Sequence, residues 1–333
     1  MLIILLNIFT LWILPVLTSV PNLQLNDGNA IPMIALGTIM PNDQRESLTQ
    51  TVITAIKTGY RHINTAAYYR SEEYIGQGIA DAVQKGYATR EELFITTKLD
   101  LRVVKGDEVL EAFKASLSRL KLNYVDLFLI HCPLNALNYT VAYDVVDVWK
   151  GMEEVKKVGL AKSIGVSNFD STQINRLLTF NEIRPAVNEI EINPTFTNLD
   201  LVAYCQSLNI PVSAYAPFGF FVPRPFRPDV DPKPPPTPDN TLMKELAEKY
   251  SKSTAQITLR YLIDRGLIIN PKSVIQSHLQ ENINIFDFNL NEQEIRLIND
   301  FNRNEKVYFL KIKQLNAMSE YIFNVDFKTS LNN

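Results

Sequence analysis

The sequence predicts an α/β protein, a (β/α)8 TIM barrel with an N-terminal β-hairpin and long loops at the C-terminal face. Two observations predict this fold. From residue 20 onward, eight strand-like segments alternate with helical patterns. These segments are continuous apolar runs rich in β-branched residues, as expected of parallel strands that are covered on both faces. A doubly wound parallel sheet is the alternative that the same alternation allows.

The first element is a hairpin, and the strands follow it in order. NLQLNDGNAIPMIALG, residues 22–37, has the pattern of two short strands joined by an Asn-Asp-Gly turn at 26–28. Each later segment is five to nine residues long, which suits a barrel strand better than a helix. The eight predicted strands are 33–38, 62–66, 93–99, 124–132, 161–167, 186–192, 212–216 and 267–271.

Between the strands, apolar residues recur at helical spacing. Such stripes predict amphipathic helices that pack on the outside of the sheet. With 333 residues and 46% hydrophobic content, the chain has enough apolar side chains for one barrel, so we expect residues 20–333 to form a single domain. The clearest stripes are Leu48, Val52 and Ile56 in the first helix, and Leu110, the stem of Lys114, Leu117 and Leu120 in the third.

The first 20 residues, MLIILLNIFTLWILPVLTSV, are apolar almost throughout and end in small residues. This pattern predicts a signal peptide over 1–19 and a chain that is secreted or enters the secretory lumen. A retained membrane anchor formed by residues 2–20 is the alternative. In either case Asn138, followed by Tyr139 and Thr140, is a candidate glycosylation acceptor.

Composition narrows the possible partners. The net charge is −3 and the chain has no basic tract, so nucleic-acid binding has no electrostatic support. Cys132 and Cys205 both sit in apolar runs and are expected to be buried thiols. No CxxC, HExxH or Cys/His cluster indicates a metal site. We therefore expect a monomer that acts on a small molecule.

Three ionisable side chains follow three consecutive predicted strands. Tyr69 lies just beyond the second strand, Lys98 lies at the end of the third, and His131 at the end of the fourth. Because the carboxyl ends of parallel strands meet at one rim of a barrel, we expect these side chains to converge there. A lone histidine at a strand end is more often a satisfied core residue, but three such groups at successive ends indicate catalysis.

These three residue types suit the protonation of an oxyanion that forms when hydride reaches a carbonyl carbon. A tyrosine has an ordinary pKa of about 10, and a neighbouring ammonium lowers that pKa by stabilising the phenolate. A histidine can orient the carbonyl oxygen through a hydrogen bond. The sequence therefore predicts an oxidoreductase in which a tyrosine is the proton donor.

Five segments in order resemble the signatures of the aldo-keto reductase family: GYRHINTAAYYRSEEYIG, FITTKL, DLFLIHCP, GVSNF and PKSVIQSHLQENINIFDFNL. The resemblance extends from about residue 22 to the C-terminus. It implies a (β/α)8 barrel that binds NADP(H) in an extended form. It also identifies Tyr69 as the proton donor, beside Lys98 and His131, and implies that the adjacent Tyr68 is a packing residue.

Asn64 departs from the family pattern, in which an aspartate pairs with the lysine. An amide can accept a hydrogen bond from the ammonium but cannot neutralise its charge. We therefore expect Lys98 to lack a charged partner. The loss of about 1–3 kcal/mol would slow the step about 5- to 150-fold. An altered but working catalyst is the first hypothesis, and a non-catalytic carrier of lipophilic ligands is the second.

The resemblance also implies which residues contact the nicotinamide end of the cofactor. Ser167 and Asn168 match the family residues that bind its carboxamide, and Tyr215 matches the aromatic residue that stacks on its ring. Glu189 stands where a glutamine is usual, and a carboxylate cannot donate to the carboxamide oxygen unless it is protonated. Thr38, at the end of the first barrel strand, lies near the cofactor in the family.

A second group of matches concerns the adenosine end. Lys272 and Ser273 match the contacts to the 2′-phosphate, and Glu281 and Asn282 match those to adenine. His278 stands where an arginine usually binds the phosphate. Imidazole lacks the fixed fork of a guanidinium and is mostly neutral at pH 7. NADP(H) is still favoured through Lys272, with a weaker preference over NAD(H), and His278 as a plain surface residue is the alternative.

Two segments predict an apolar substrate pocket. Residues 217–240 are proline-rich yet contain Phe218, Phe220 and Phe221, which favours a pocket wall over a solvated linker. The tail at about 304–333, with Tyr308, resembles the family's C-terminal substrate loop. A bulky lipophilic carbonyl such as a steroid ketone fits such a pocket. The proline-rich loop and NEIEINPT are similar to insect reductases of ecdysteroid 3-ketones.

Overall fold

A computed structural model describes residues 20–133, 143–219 and 240–307. The predicted signal peptide, the acceptor Asn138, and the predicted pocket residues Phe220, Phe221 and Tyr308 lie outside these ranges. Within them, no helix is both long and apolar enough to cross a lipid bilayer.

Eight parallel strands form a barrel, as predicted. They pair with one another in chain order. The barrel closes where Ile34 forms a parallel bridge with Ile269 of the last strand. Each predicted segment contains one strand. The strands are β3 (Ala35–Gly37), β4 (His62–Asn64), β5 (Phe94–Lys98), β6 (Val125–Ile130), β7 (Ala161–Ser167), β8 (Asn188–Glu191), β9 (Val212–Tyr215) and β10 (Ile268–Asn270).

The predicted N-terminal hairpin is present and covers the N-terminal end of the barrel. Strand β1 (Asn22–Gln24) pairs antiparallel with β2 (Ala30–Pro32). Gly28 in the turn has a φ of 89°, which only glycine adopts without strain. The hairpin closes the barrel by adding two apolar side chains to a cluster inside it: Leu25, Ile31, Phe94, Leu127, Leu129, Ala186, Val187 and Ile268.

Helices surround the barrel, in agreement with the alternating pattern. A second and larger core lies between them and the outer faces of the strands. Short 3-10 turns, η1 (Asn42–Gln44) and η2 (Ala67–Tyr69), follow β3 and β4. The helices are α1 (Ser47–Thr58), α2 (Glu72–Gln84), α3 (Gly106–Leu120), α4 (Val145–Lys157), α5 (Ser171–Phe180), α6 (Leu199–Ser207), α7 (Thr241–Tyr250), α8 (Thr254–Asp264), α9 (Gln276–Ile283) and α10 (Glu292–Asn299).

The apolar stripe predicted for α3 is partly wrong. Val109 and Phe113 are buried there, together with Leu117 and Leu120, whereas Leu110 is only half-buried and Lys114 is exposed. The true stripe begins one residue earlier than predicted, because Phe113 packs on Phe128 of the strand below, with ring centroids 4.0 Å apart. The stripe predicted for α1 is confirmed, since its three residues are all buried: Leu48, Val52 and Ile56.

Candidate active site

Polar side chains from three strands meet inside the barrel near its C-terminal end. Asn64 ends β4, Lys98 ends β5 and Glu189 lies in β8, which is across the barrel from β4. Their side chains contact one another across the barrel, so they point into its interior. All three side chains are buried. A buried ammonium group costs free energy unless it is paired, and Lys98 is paired.

The charged partner of Lys98 is Glu189. The Nζ atom of Lys98 lies 3.1 Å from Oε1 of Glu189 and donates to Oδ1 of Asn64 at 2.6 Å and to the Thr65 carbonyl at 3.0 Å. The expectation that Lys98 lacks a charged partner is therefore wrong. Burial acts to lower the pKa of Lys98, but the Glu189 carboxylate and Tyr69 outweigh it and the pKa is raised.

Asn64 links the lysine to the carboxylate. Its Oδ1 accepts from Lys98, and its Nδ2 donates to Oε2 of Glu189 at 2.5 Å. An amide is the one side-chain group of this size that accepts on one side and donates on the other. Both groups of the amide are therefore used, and the three side chains form a closed triangle of polar contacts.

Asn270 is a site residue that the sequence analysis missed. Its Nδ2 donates to Oε2 of Glu189 at 3.1 Å and to Oγ of Ser213 at 2.9 Å. Its Oδ1 is buried with no hydrogen-bond partner among the described residues. The available signal was an amide at the end of the eighth barrel strand, at the same level as Asn64 at the end of β4.

Tyr69 lies beside this triangle at the end of η2. Its ring centroid is 5.3 Å from Nζ of Lys98. Burial raises the pKa of the Tyr69 hydroxyl, the charge of Lys98 acts to lower it, and Glu189 raises it further. The net pKa is raised, so the expectation of a lowered pKa is wrong in direction. The hydroxyl is consequently protonated throughout the neutral pH range, which is the form that can donate a proton.

His131, just beyond β6, is the third residue of the predicted set. Its ring packs edge-on against Tyr69, with centroids 5.6 Å apart. Burial and the nearby charge of Lys98 lower the pKa of His131 to about 3, so the imidazole is neutral. Its Nδ1 is buried and has no hydrogen-bond partner among the described residues. A neutral ring of this kind can orient a carbonyl oxygen by donating a hydrogen bond from its one N–H, but it is too weak an acid to protonate the product.

Tyr68 is not the packing residue that was predicted. It is 46% exposed, although its ring stands edge-on to His131 with centroids 6.1 Å apart. The rings of the two adjacent tyrosines therefore both stand edge-on to one histidine. The short turn η2 causes this arrangement, because it directs Tyr69 inward and Tyr68 toward solvent. Tyr68 thus forms part of the open rim of the site.

The predicted nicotinamide contacts lie next to these residues. Oδ1 of Asn168 accepts from the Tyr215 hydroxyl at 2.8 Å, and its Nδ2 donates to the His131 carbonyl at 3.0 Å. The Ser167 hydroxyl donates to the Glu189 carbonyl at 2.9 Å. Asn168 has a φ of 64°, a conformation that asparagine tolerates better than most residues. These contacts hold an amide and a hydroxyl at the rim beside Tyr69.

Thr38 also belongs to this group. Its hydroxyl donates to the Asn64 carbonyl at 2.8 Å, and its side chain is buried. The bond ties the end of β3 to the end of β4 and steadies the backbone that positions Asn64. Thr38 thus helps to fix the position of Asn64.

The predicted adenosine contacts lie around α9, which follows β10. Ser273 is buried and accepts from the Ile275 backbone amide at 3.1 Å. Asn282 is buried and hydrogen-bonds the Tyr60 hydroxyl. Glu281 is half-buried. Two further members, Lys272 and His278, are exposed. These residues occupy one helix and the loop before it, and their roles toward a cofactor stay a prediction.

Phe218 is the one residue of the predicted substrate wall that lies within the described ranges. It is half-buried and packs against the main core. Both predicted thiols are buried and unpaired with each other: Cys132 and Cys205.

Comparison with known proteins agrees with this geometry. The sequence profile described as "Aldo/keto reductase family" matches residues 33–303. Aldo-keto reductase AKR2E4 of Bombyx mori is 49% identical over 293 residues, which are 86% of this chain and 94% of that protein.

Two solved structures are similar as well. The crystal structure of Bombyx mori aldo-keto reductase AKR2E4 in complex with NADP has a TM-score of 0.84 and 47% identity, over 90% of this chain and 98% of that one. Aldo-keto reductase AKR2E5 complexed with NADPH has a TM-score of 0.81 and 40% identity, over 85% and 88%. The chain belongs to the aldo/keto reductase family.

Proposed function

We propose that this protein is an NADP(H)-dependent reductase that converts an aldehyde or ketone to an alcohol, with Tyr69 as the proton donor. The observation that carries the proposal is the position of Tyr69 between Lys98 and His131 at the C-terminal end of the barrel. Family membership and the solved NADP and NADPH complexes of two relatives support the choice of cofactor.

The residues divide the work as follows. The neutral ring of His131 orients the carbonyl oxygen between the two tyrosines. Bound NADPH supplies hydride to the carbonyl carbon. The Tyr69 hydroxyl donates its proton to the developing alkoxide, which is a far stronger base than a phenolate. Lys98 stabilises the phenolate left on Tyr69, and its own charge is balanced by Glu189.

The side chains at the rim fit the nicotinamide end of the cofactor. Asn168 is held by Tyr215 and by the His131 carbonyl, so its amide is fixed in orientation. Ser167 is fixed through the Glu189 backbone. Preorganised amide and hydroxyl groups of this kind suit a carboxamide, which both donates and accepts. Lys272 and His278 are exposed, as contacts to a phosphate would be.

For the substrate we propose a bulky, lipophilic carbonyl compound of the steroid class. Tyr68 supports this choice, because its exposed aromatic ring stands beside His131 and adds apolar surface to the rim. Phe218 follows β9 at the same end of the barrel. The similarity of the proline-rich segment to insect ecdysteroid reductases is a further support.

The carrier hypothesis loses its main argument. It rested on three departures from the family pattern, at Asn64, Glu189 and His278. Glu189 supplies the charge in a contact of 3.1 Å, so Asn64 no longer favours an inactive protein. A carrier has no use for a proton donor that is held between a neutral histidine and a charged lysine.

An assay of purified residues 20–333 with NADPH tests the proposal. A panel of aldehydes and steroid ketones is added, and the loss of NADPH absorbance is followed. We expect turnover that falls by at least about 100-fold in Tyr69→Phe, which removes only the hydroxyl. Turnover no greater than that of Tyr69→Phe for every compound contradicts the enzyme hypothesis.

We also propose that the chain is exported from the cell, because residues 1–19 have the composition of a signal peptide. Expression of the full chain in eukaryotic cells should deliver to the medium a protein that begins near Val20. Recovery in the membrane fraction with residue 2 still present would instead indicate an anchor.

A further inference from the structure

Two of the polar residues around Lys98 are exchanged relative to the family pattern. That pattern has a carboxylate at position 64 and an amide at position 189, whereas this chain has Asn64 and Glu189. The set around the lysine still contains one carboxylate and one amide. The negative charge has moved from the strand beside Lys98 to the strand across the barrel.

The contacts explain why the exchange involves both positions. Nδ2 of Asn64 lies 2.5 Å from Oε2 of Glu189, and Oδ1 of Asn64 faces Lys98. With Glu189 in place, a carboxylate at position 64 would have no proton to donate across that short contact. With Asn64 in place, an amide at position 189 would leave Lys98 buried beside two uncharged groups.

We propose that Glu189 is the counter-ion of Lys98 and a positioning residue for proton transfer from Tyr69, and that Asn64 and Glu189 work as one exchanged pair of which neither member can be replaced alone. This inference deepens the proposed function and rests on it for its catalytic part. The pairing itself is a property of the folded chain and has a separate measurable effect on stability.

Other titratable groups near Lys98 and Glu189 also affect the pH profile of kcat. Glu189 raises the pKa of both Lys98 and Tyr69, so its removal should make each lose its proton at lower pH. His62 on β4 and His131 after β6 interact electrostatically with Lys98, and Tyr215 on β9 interacts with Glu189.

A four-member set of variants tests the pair: the natural chain, Glu189→Gln, Asn64→Asp and the double variant N64D/E189Q. We expect each single change to lower kcat about 5- to 150-fold. The double variant should recover to within about threefold of the natural chain, because it again contains one carboxylate and one amide. The basic limb of the pH profile of kcat should move to lower pH in Glu189→Gln and return in the double variant.

Thermal unfolding without cofactor or substrate separates this inference from the proposed function. Each single variant should unfold at a lower temperature, and the double variant should recover most of the loss. That recovery supports the pair even if none of the carbonyl compounds is turned over. Failure of Glu189→Gln to fold, together with folding of the double variant, supports it as well.

Glu191→Gln is the matched control. Glu191 is also buried on β8, but it accepts from the Val307 backbone amide at 2.6 Å and from Asn193 at 3.2 Å. Glu191→Gln should destabilise the chain, and the double variant N64D/E191Q should show no recovery of stability. The inference is overturned if the losses in N64D/E189Q simply add, or if Asn64→Asp restores Glu191→Gln as fully as it restores Glu189→Gln.

Discussion

The two ends of the barrel interior each hold a histidine whose pKa is lowered to about 3, yet the two rings are hydrogen-bonded very differently. At the N-terminal end, both ring nitrogens of His62 are paired, one with the Pro32 carbonyl at 3.2 Å and the other with Thr96 Oγ1 at 2.9 Å. At the C-terminal end, Nδ1 of His131 has no partner among the described residues.

The surroundings of the two rings differ in the same way. His62 is fully buried beneath the hairpin and packs edge-on against Phe94. His131 is only half-buried and contacts the rings of Tyr68 and Tyr69 at the open rim. Equal pKa values thus do not distinguish a structural histidine from a chemical one, whereas hydrogen-bond pairing and access to solvent do.

Alanine at each histidine should separate activity from stability. In His131→Ala we expect kcat/KM to fall about 100- to 1,000-fold, because the carbonyl oxygen is no longer oriented. In His62→Ala we expect the free energy of unfolding to fall by about 3 kcal/mol, through a cavity and an unpaired Thr96 hydroxyl, with kcat/KM within a few fold of normal.

Steady-state kinetics and urea unfolding of both variants measure the two effects. An effect of His62→Ala on kcat as large as that of His131→Ala would show that the two ends of the barrel are not separable. The dependence of the free energy of unfolding on urea concentration should be unchanged, since both variants should still unfold in one cooperative step.

Acid should weaken the fold through the same two residues. A histidine with a folded pKa of about 3 and an ordinary pKa of 6.5 binds its proton more readily in the unfolded chain. Stability is therefore fully present above pH 6.5 and is lost as pH falls toward 3. Each such histidine contributes a slope of about 1.4 kcal/mol per pH unit within that window.

Urea unfolding at pH values between 7 and 5 measures how the free energy of unfolding changes with pH. Most carboxylates titrate below this range. The slope should fall by about half in His62→Ala, because only His131 of these two histidines then remains. An unchanged slope in that variant would place the acid sensitivity elsewhere.

The alternation of strands and helices could be predicted from the sequence because parallel strands covered on both faces are continuous apolar runs. The convergence of Tyr69, Lys98 and His131 followed from their positions at successive strand ends. The pairing of Lys98 with Glu189 could not be predicted in this way. The amide of Asn64 bonds a residue 125 positions away, and that contact exists only once the barrel has closed.

The packing role predicted for Tyr68 and the lowered pKa predicted for Tyr69 were wrong for different reasons. A one-turn 3-10 helix decides which of Tyr68 and Tyr69 points inward, and its apolar pattern is too short to indicate a direction. The net pKa of Tyr69 depends on burial, which exceeds the effect of the ammonium and is fixed only by the complete packing. The placement of these residues at successive strand ends could be predicted, but the balance of opposing electrostatic effects on their pKa values could not.

Tyr68 offers a smaller test of the open end. Tyr68→Val should raise KM for a bulky steroid ketone about tenfold, because about 1.4 kcal/mol of aromatic contact is lost, and should leave small aldehydes within about twofold. Phe180→Val on α5 is the matched control, since Phe180 is also an exposed aromatic residue, at 60%. An equal rise for small and bulky substrates would show that Tyr68 acts on His131 and not on the substrate.

The third histidine, His278, is exposed on α9. His278→Arg is expected to tighten NADPH binding about fivefold through one added charge-assisted contact to the 2′-phosphate, and to leave NADH binding unchanged. Fluorescence titration of the variant with both cofactors measures this. A gain for NADH as large as that for NADPH would show that position 278 does not contact the phosphate.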